Sequence, residues 1–322
     1  MKAVVVNRTG GPEVLEVADR PTPDPGPGQV LVDVAAAGVN FIDIYFRSGA
    51  YPAPTPFVLG SEGAGRVSAV GPDVDGVAIG DRVAWAMVTG AGYAEQVLVP
   101  ADRLVPVPDS VDDQTAAASM LQGMTAHYLT RSTYPVQPGD DVLVHAAAGG
   151  MGLLLTQLVT LAGGRVIGTT STPEKADLAR EAGAAEVLVG TVDVAAEVRR
   201  LTDGRGVAVV YDGVGATTFD ASLASLRRRG MMVLYGAASG PVPPFDPQTL
   251  NAKGSLFLTR PSLAHYIETR EELLERAGDV LGLVASGRLA VRVGGRYGLD
   301  QAGRAHADLA ARRTTGKLLV VP

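Results

Sequence analysis

The sequence DDVLVHAAAGGMGLLLTQLVTLAG at residues 140–163 carries the strongest signal for the fold. It begins as a short apolar strand, turns through Ala146-x-x-Gly149-x-x-Gly152, and continues as an apolar helix. Glycines at this spacing permit a tight turn and a close approach of the backbone to a pyrophosphate, while the first turn of the helix offers unpaired N–H donors. The stretch therefore predicts a dinucleotide-binding turn, with a merely tight strand-to-helix turn as the alternative.

Strands and helices alternate after this turn, which is the order of a doubly wound parallel sheet. The predicted strands are short continuous apolar runs at residues 141–145, 165–170, 186–189, 207–211 and 231–235. Thr172 followed by Pro173 predicts the start of a helix, and Gly183 and Gly230 are predicted to end helices. The repeated order favours the dinucleotide turn over its alternative.

The first third of the chain has a different pattern, with short β-rich segments broken by Gly and Pro. Predicted strands lie at residues 2–7, 14–18, 30–39, 65–70, 82–86 and 93–100. Helical periodicity starts near residue 110, and the tail reads as a helix followed by a final strand, KLLVV. We expect a small barrel or sandwich to which the tail returns.

Composition excludes several functions. The 322 residues include no cysteine, so disulfides, thiolate catalysis and sulfur-ligated zinc are excluded. The four histidines are scattered singly, without the spacing of a metal helix. A net charge of −6 disfavours nucleic-acid binding, and the absence of a signal-like or membrane-length apolar run predicts a cytoplasmic protein.

The end of the second predicted strand of the nucleotide domain bears on the choice of dinucleotide. An NAD-preferring site carries an acid about 20 residues after the glycines, where it binds the ribose 2′-OH. The sequence IGTTST at residues 167–172 has no acid, and Lys175 follows in the first turn of the next helix. An ammonium can bind a 2′-phosphate, although a lone lysine suits a solvated helix surface equally well. The pattern favours NADPH.

Several segments in one order resemble the zinc-free quinone oxidoreductases, relatives of zeta-crystallin within the medium-chain dehydrogenase/reductase superfamily. The resemblance is carried by GVNFIDIYFRSGAYP (38–52), LGSEGAGRVSAVG (59–71), HAAAGGMG (145–152), NAKGSLFLTRPSL (251–263) and RRTTGKLLVVP (312–322). It implies an α/β protein with a GroES-like β-rich catalytic domain at 1–122 and 262–322, and a Rossmann-type doubly wound parallel-sheet cofactor domain at 123–261. It also implies a homodimer.

The sequence departs from the zinc-dependent relatives at two ligand positions. Those enzymes have a Cys after the equivalent of Gly38 and a Gly-His-Glu motif, whereas this chain has Val39-Asn40 and Gly60-Ser61-Glu62. The resemblance therefore implies no metal site. Without zinc to polarise an alcohol, a quinone or enone that needs only an aligned hydride is the expected acceptor.

The resemblance also implies site residues. Asn40 and the loop through Tyr45 would lie beside the nicotinamide, and Lys175 would contact the adenosine phosphate. The remaining cofactor contacts that it implies are Phe41, Ile44, Thr125, Tyr128, Gly149, Gly150, Met151, Ser171, Gly236, Ala237, Ala238, Phe257, Leu258, Thr259 and, reaching the 2′-phosphate from the tail, Arg312.

The expected reaction is direct hydride transfer from NADPH to a small-molecule quinone, helped mainly by positioning. Asn40 could hydrogen-bond a developing oxyanion, and Tyr45 or Tyr51 could donate a proton or only shape the pocket. Two alternatives stay open: an NADPH-dependent alkenal or enone reductase, and an NADPH-binding structural protein with little turnover.

Overall fold

In the first part of the chain, segments rich in β-branched residues form strands, and turns that contain Gly and Pro separate them. In chain order, the elements are β1 (Lys2–Val6), β2 (Leu15–Asp19), β3 (Gln29–Val39), α1 (Phe41–Ser48), β4 (Phe57–Val58), β5 (Glu62–Val70), β6 (Arg82–Ala86), β7 (Gln96–Pro100) and β8 (Val105–Pro106). The long helix α2 (Asp113–Tyr128) follows.

Strands and helices then alternate as the sequence predicts. The elements are β9 (Asp141–Val144), α3 (Gly150–Leu161), β10 (Arg165–Thr170), α4 (Pro173–Glu181), β11 (Glu186–Val189), α5 (Val194–Leu201), β12 (Val207–Asp212), α6 (Phe219–Ser225), β13 (Leu226–Leu234), α7 (Gln248–Ala252) and β14 (Phe257–Thr259). The last part comprises α8 (Arg270–Ala285), β15 (Val293–Tyr297), α9 (Ala302–Ala310) and β16 (Lys317–Val320).

The computed structural model describes residues 1–322 and contains two compact units. Unit 1 comprises Met1–Met124 and Tyr266–Pro322, and unit 2 comprises Thr125–His265. The division falls within α2 on one side and before α8 on the other. No helix is both long enough and apolar enough to span a membrane.

Unit 1 contains two sheets. One has the order β2-β1-β4, and the other has the order β15-β16-β3-β5-β6-β8, with β7 pairing to β3. Its core packs Trp85 and Tyr93, both fully buried, among Val and Leu side chains of these strands. The C-terminal strand β16 pairs antiparallel to β3, so the tail completes a sheet begun near the N-terminus.

Unit 2 is a six-stranded sheet in the order β11-β10-β9-β12-β13-β14, and every neighbouring pair is parallel. Helix α3 contacts α4 and helix α5 contacts α6, while the core includes Leu143, Val210 and Met232. Strands β10 and β11 are added on one side of β9, whereas β12, β13 and β14 are added on its other side, so the strand order switches between β9 and β12. Ligands bind at such a switch point, outside the carboxyl ends of the strands.

Two local predictions are wrong. The segment after β3, expected as a loop through Tyr45, is helix α1, which starts after Asn40 and ends at Gly49 with φ +82°. Gly230 lies inside β13 rather than at the end of a helix, because α6 ends at Ser225 and the strand starts at once. The helix and final strand predicted for the tail are confirmed as α9 and β16, and strand β15 precedes them.

Candidate functional site

The glycine turn lies between β9 and α3. Gly149 caps the helix with extended backbone, and α3 begins at Gly150. A Cβ on Gly152 would collide with the carbonyl oxygen of Ala146 and would lie 2.6 Å from Ala147 Cα. Only glycine therefore lets the helix start against the turn, which leaves the N–H groups of its first turn directed at the carboxyl edge of the sheet.

A buried hydrogen-bonded chain holds the turn in place. His145, the residue after β9, bonds Ser222 Oγ through Nε2 at 2.9 Å and Thr169 Oγ1 through Nδ1 at 3.1 Å. Ser222 Oγ donates to Asp212 Oδ2 at 2.8 Å. Burial lowers the pKa of His145, so the neutral ring donates on one side and accepts on the other.

The same threonine reaches the turn itself. The N–H of Ala146 donates to Thr169 Oγ1 at 3.3 Å, and the N–H of Ala147 donates to Thr169 O at 2.9 Å. Ala146 has a left-handed backbone, with φ +52°. A non-glycine residue in this region costs about 1–2 kcal/mol, so the surrounding hydrogen bonds hold a strained conformation that shapes the turn.

Most of the predicted cofactor residues of unit 2 lie at one edge of its sheet. Gly149, Gly150 and Met151 follow β9, and Ser171 and Lys175 follow β10. The others are Gly236, Ala237 and Ala238 after β13 and Phe257, Leu258 and Thr259 within β14. Because parallel strands end at the same edge, the residues that follow β9, β10 and β13 lie together at the carboxyl ends of these strands. Phe257, Leu258 and Thr259, expected after the last strand, form β14 itself, and only Thr259 is at its carboxyl end.

Three of the remaining predicted residues do not belong to the strands of this sheet or to the segments that follow them. Thr125 and Tyr128 are on α2 and are buried, Tyr128 almost completely. Arg312 is an exposed residue of unit 1, just after α9, with a left-handed backbone at φ +57°.

Helix α1 carries the predicted catalytic residues of unit 1. The backbone N–H of Asn40 donates to Asp43 Oδ2 at 2.9 Å, which fixes the first turn. Phe41, Ile44 and Tyr45 are half-buried, and the ring of Tyr45 lies 6.3 Å from that of Phe41. The helix therefore presents an aromatic surface, to which the ring of Tyr51 adds, 5.2 Å from Tyr45.

The Asn40 side chain belongs to a buried ion-pair network that the sequence analysis missed. Lys317 Nζ bonds Glu62 Oε1 and, at 2.6 Å, Asn40 Oδ1. Asn40 Nδ2 donates to Glu62 Oε1 at 2.7 Å, and the N–H of Leu121 donates to Glu62 Oε2 at 2.6 Å. Lys317 and Glu62 are 1% and 0% exposed. Asn40 would have to leave Glu62 to reach an oxyanion, so its geometry fits a positioning role better.

Gly38 makes this network possible. A Cβ on Gly38 would collide with Glu62 Oε1 and lie 2.6 Å from Lys317 Cε. The glycine therefore provides the space in β3 across which the strands β5 and β16 bring their charged residues together.

A second buried network crosses the core of unit 1. Asp43 accepts from Ser61 Oγ at 2.9 Å and from the hydroxyl of Tyr93 at 3.2 Å. The Tyr93 oxygen lies 3.1 Å from His306 Nε2, and His306 Nδ1 lies 3.4 Å from Arg47 Nη1. Since Tyr93 donates to Asp43 and Arg47 can only donate, the ring of His306 carries its proton on Nε2.

Burial shifts the pKa values in this network in opposite directions. Burial raises the pKa of Asp43 to about 6, although the bonds from Ser61 and Asn40 act against it. Burial and the charge of Arg47 lower the pKa of His306 to about 3. Burial also raises the pKa of Tyr93 well above 10.0. The histidine is therefore neutral in the folded protein at every ordinary pH, as its tautomer requires.

These shifts predict opposite pH dependences of stability for two variants. Between about pH 4 and 6 the folded state binds the extra proton at Asp43, and the unfolded state binds the extra proton at His306. Acidification thus raises the free energy of unfolding through Asp43 and lowers it through His306, in each case by about 1.4 kcal/mol per pH unit. In wild type the two effects largely cancel.

We expect the stability of Asp43→Asn to fall as the pH is lowered from 6 to 4, because only His306 of the pair then titrates. Over the same range we expect the stability of His306→Gln to rise relative to that of Asp43→Asn, because only Asp43 of the pair then titrates. Denaturant unfolding at several pH values measures this, followed by the fluorescence of Trp85, the one tryptophan of the chain, in the core of unit 1. All other carboxylates are shared by the two variants and cancel in the comparison. Parallel pH profiles would show that the two side chains do not titrate as described.

Comparison with known proteins gives matches over nearly the whole chain. The family model described as Alcohol dehydrogenase GroES-like domain matches residues 26–109, and the one described as Zinc-binding dehydrogenase matches residues 150–277. A quinone oxidoreductase of Pseudomonas aeruginosa is 47% identical over 97% of this chain and 97% of its own. A 2-haloacrylate reductase of a Burkholderia species is 41% identical over 99% and 98%.

A solved structure agrees in the same way. The Escherichia coli quinone oxidoreductase complexed with NADPH is 42% identical, covers 100% of both chains and has a TM-score of 0.98.

The fold and the glycine turn define a medium-chain dehydrogenase/reductase, with a GroES-like β-rich part and a Rossmann-type parallel sheet, which confirms the predicted fold class. Within this superfamily, the chain belongs to the quinone oxidoreductase family.

A zinc ion does not fit the residues of this chain, although one matching family model is named for zinc. The sequence has no cysteine, and no group of three or more His, Asp and Glu side chains is placed to hold a metal. By the resemblance, Asn40 and Ser61 occupy the ligand positions of zinc-dependent relatives, and they hydrogen-bond to Glu62 and Asp43 instead.

Proposed function

We propose that the chain is an NADPH-dependent quinone reductase. The proposal rests on the N-terminus of α3 at Gly149 to Gly152, which lies at the switch point of a parallel sheet. The backbone N–H groups of this first turn can bind a pyrophosphate. The family of the chain supports a quinone as the acceptor and NADPH as the donor. The Pseudomonas relative is a quinone oxidoreductase, and the Escherichia coli relative is solved with NADPH.

The carboxyl edge of unit 2 offers groups suited to each part of the cofactor. The N–H groups of Gly150 and Met151 suit the pyrophosphate, and Ser171 and Lys175 suit the 2′-phosphate because no acid ends β10. Gly236, Ala237 and Ala238 with Phe257, Leu258 and Thr259 are proposed to bind the nicotinamide ribose and carboxamide, and Thr125, Tyr128 and Arg312 to complete the site. When bound, NADPH supplies the hydride that reduces the quinone.

Cofactor discrimination tests the 2′-phosphate assignment. We expect Lys175→Ala with Arg312→Ala to weaken NADPH binding by at least tenfold and to leave NADH binding unchanged, because only NADPH carries the phosphate that these cations would bind. Fluorescence titration of both dinucleotides measures this, with Arg180→Ala as a matched control on the exposed surface of α4. An unchanged preference for NADPH would remove the assignment.

Catalysis is proposed to depend on positioning, which can supply about 7–11 kcal/mol, and to need no metal. The aromatic surface formed by Phe41, Tyr45 and Tyr51 suits a flat quinone ring. Asn40 and Ile44 belong to the same helix region, and the bond from Asn40 to Glu62 holds the first turn of α1 in place. Elemental analysis that finds one zinc per active chain would overturn the metal-free proposal.

Tyr45 is the proposed proton donor to the reduced quinone. If it donates, Tyr45→Phe lowers kcat several-fold while the KM for NADPH is unchanged, because the ring and its packing remain. Tyr51→Phe is the matched control on the same surface. Equal kcat values for wild type and Tyr45→Phe would reduce Tyr45 to a residue that shapes the pocket.

Steady-state rates with a panel of acceptors test the function itself. We expect kcat/KM for NADPH-driven reduction to be highest with 1,4-quinones. The 2-haloacrylate reductase among the relatives favours the second candidate, reduction of a carbon–carbon double bond conjugated to a carbonyl. Higher kcat/KM with such acceptors would establish that candidate, and tight NADPH binding without turnover would favour a structural role.

Three further proposals rest on the resemblance. The chain is proposed to form a homodimer in the cytoplasm, and the exposed edge strand β14, where Phe257 is 56% exposed, offers a surface for it. Light scattering that gives the 33.1 kDa of a single chain would exclude the dimer. The catalytic domain is proposed to comprise 1–122 and 262–322 and the cofactor domain 123–261, limits that limited proteolysis can test.

A further inference from the structure

Unit 2 has a second concave site, at the edge of its sheet opposite to the glycine turn. A cavity of about 590 Å³ lies where β12 and β13 begin, whereas the dinucleotide turn lies where strands end. Its lining includes Arg199, Arg205, Arg227, Arg228 and Lys253 and no carboxylate. The volume falls in the range of small-molecule sites, and the charge of the lining selects for anions.

Arg227 and Arg228 reach this cavity from a large bulge in β13. Val207 pairs with Leu226 and Val209 pairs with Met231, so four residues of β13 stand opposite one residue of β12. The bulge contains three successive exposed arginines at 227–229, and Arg229 has a left-handed backbone, with φ +59°. Strained bulges that redirect side chains are typical of functional sites.

The cations of the cavity have two roles. Arg199 donates to four backbone carbonyls, those of Gly204, Arg205, Ala224 and Leu226, and so fixes the cavity wall. Arg227 pairs with Asp140 at 3.3 Å. The side chains of Arg228 and Lys253, by contrast, make no hydrogen bond or ion pair, so their donors are available to a ligand.

We propose that this cavity binds a small molecule with two or more adjacent phosphoryl groups. The planar guanidinium of Arg228 can bind one phosphoryl group with two parallel hydrogen bonds, and Lys253 adds a point charge for its neighbour. A single-charged anion would leave most of the cations unneutralised. The concave shape and the acidic net charge of −6 disfavour a nucleic acid, which requires an extended basic surface.

Calorimetric titration with tripolyphosphate tests the proposal on enzyme that holds one equivalent of NADPH, so that the glycine turn is occupied and no excess dinucleotide competes for the cavity with its own pyrophosphate. We expect one site per chain, and binding at least tenfold weaker in the Arg228→Ala, Lys253→Ala variant. The matched control, Arg180→Ala with Arg288→Ala, removes two exposed charges elsewhere and is expected to change the affinity less than twofold. NADPH oxidation at the wild-type rate by both variants shows that they are folded.

A parallel titration with ATP identifies the source of the phosphates. Tighter binding of ATP than of tripolyphosphate indicates a nucleotide, and equal binding indicates a free polyphosphate or a phosphorylated metabolite of another kind. Absence of tripolyphosphate binding to the wild type overturns the proposal. Equal weakening of tripolyphosphate binding in the Arg228→Ala, Lys253→Ala variant and in the control variant also overturns the proposal, since that result would reflect only the total charge of the surface.

Discussion

Replacing Gly152 with alanine is expected to lower the affinity for NADPH by about two orders of magnitude. The new Cβ would lie 2.6 Å from Ala147 Cα and 2.7 Å from Ala147 C, and backbone atoms cannot turn aside as a side chain can. The start of α3 must therefore move away from the turn. Charged hydrogen bonds contribute about 1.5–3 kcal/mol each, so the loss of two corresponds to at least about a hundredfold in affinity.

Fluorescence titration with NADPH measures this effect, and circular dichroism shows whether the variant is folded. Gly278→Ala is the matched control, because a Cβ at this position of α8 meets no atom within 4 Å. The control is expected to bind NADPH as the wild type does. A folded Gly152→Ala protein with unchanged affinity would show that the pyrophosphate does not rest against this turn.

Replacing Lys317 with methionine is expected to destabilise unit 1 by about 3–5 kcal/mol. The substitution leaves the carboxylate of Glu62 fully buried with only the donors of Asn40 and Leu121, and a buried charge without its counter-ion is strongly unfavourable. The effect should therefore be far larger than that of an exposed pair, which contributes about 0–1 kcal/mol.

Denaturant unfolding followed by Trp85 fluorescence measures the loss. Arg304→Met is the matched control, since Arg304 is 73% exposed and lies 3.7 Å from Asp308. Adding Glu62→Gln to Lys317→Met removes the unpaired charge and is expected to recover most of the lost stability, while the amide oxygen can still accept from Leu121. Equal costs for Lys317→Met and Arg304→Met would mean that the buried pair is not held as described.

The parallel sheet could be predicted because its signals are local. Buried strands, the glycine turn and the cap at Thr172 are each encoded within a few neighbouring residues, and the strands at 165–170 and 186–189 have the predicted bounds. Helix α1 was missed because its aromatic residues read as an exposed loop. Asn40, Asp43 three residues later and Gly49 were the capping signals that could have identified it.

The buried networks could not be read from the sequence in the same way. Glu62 and Lys317 are 255 residues apart, and no local pattern links them. The one signal was a lysine at the start of the apolar strand KLLVV, where a solvated position is the ordinary reading. The sequence gives no partner for the isolated His306 for the same reason, since Tyr93 and Arg47 contact it only in the folded core.

A crystal structure of the NADPH complex would show whether the glycine turn between β9 and α3 binds the cofactor. It is expected to place the pyrophosphate oxygens within hydrogen-bonding distance of the backbone N–H groups of Gly150 and Met151, at the start of α3. A pyrophosphate bound at any other place in the protein would contradict the account of how this chain holds its cofactor.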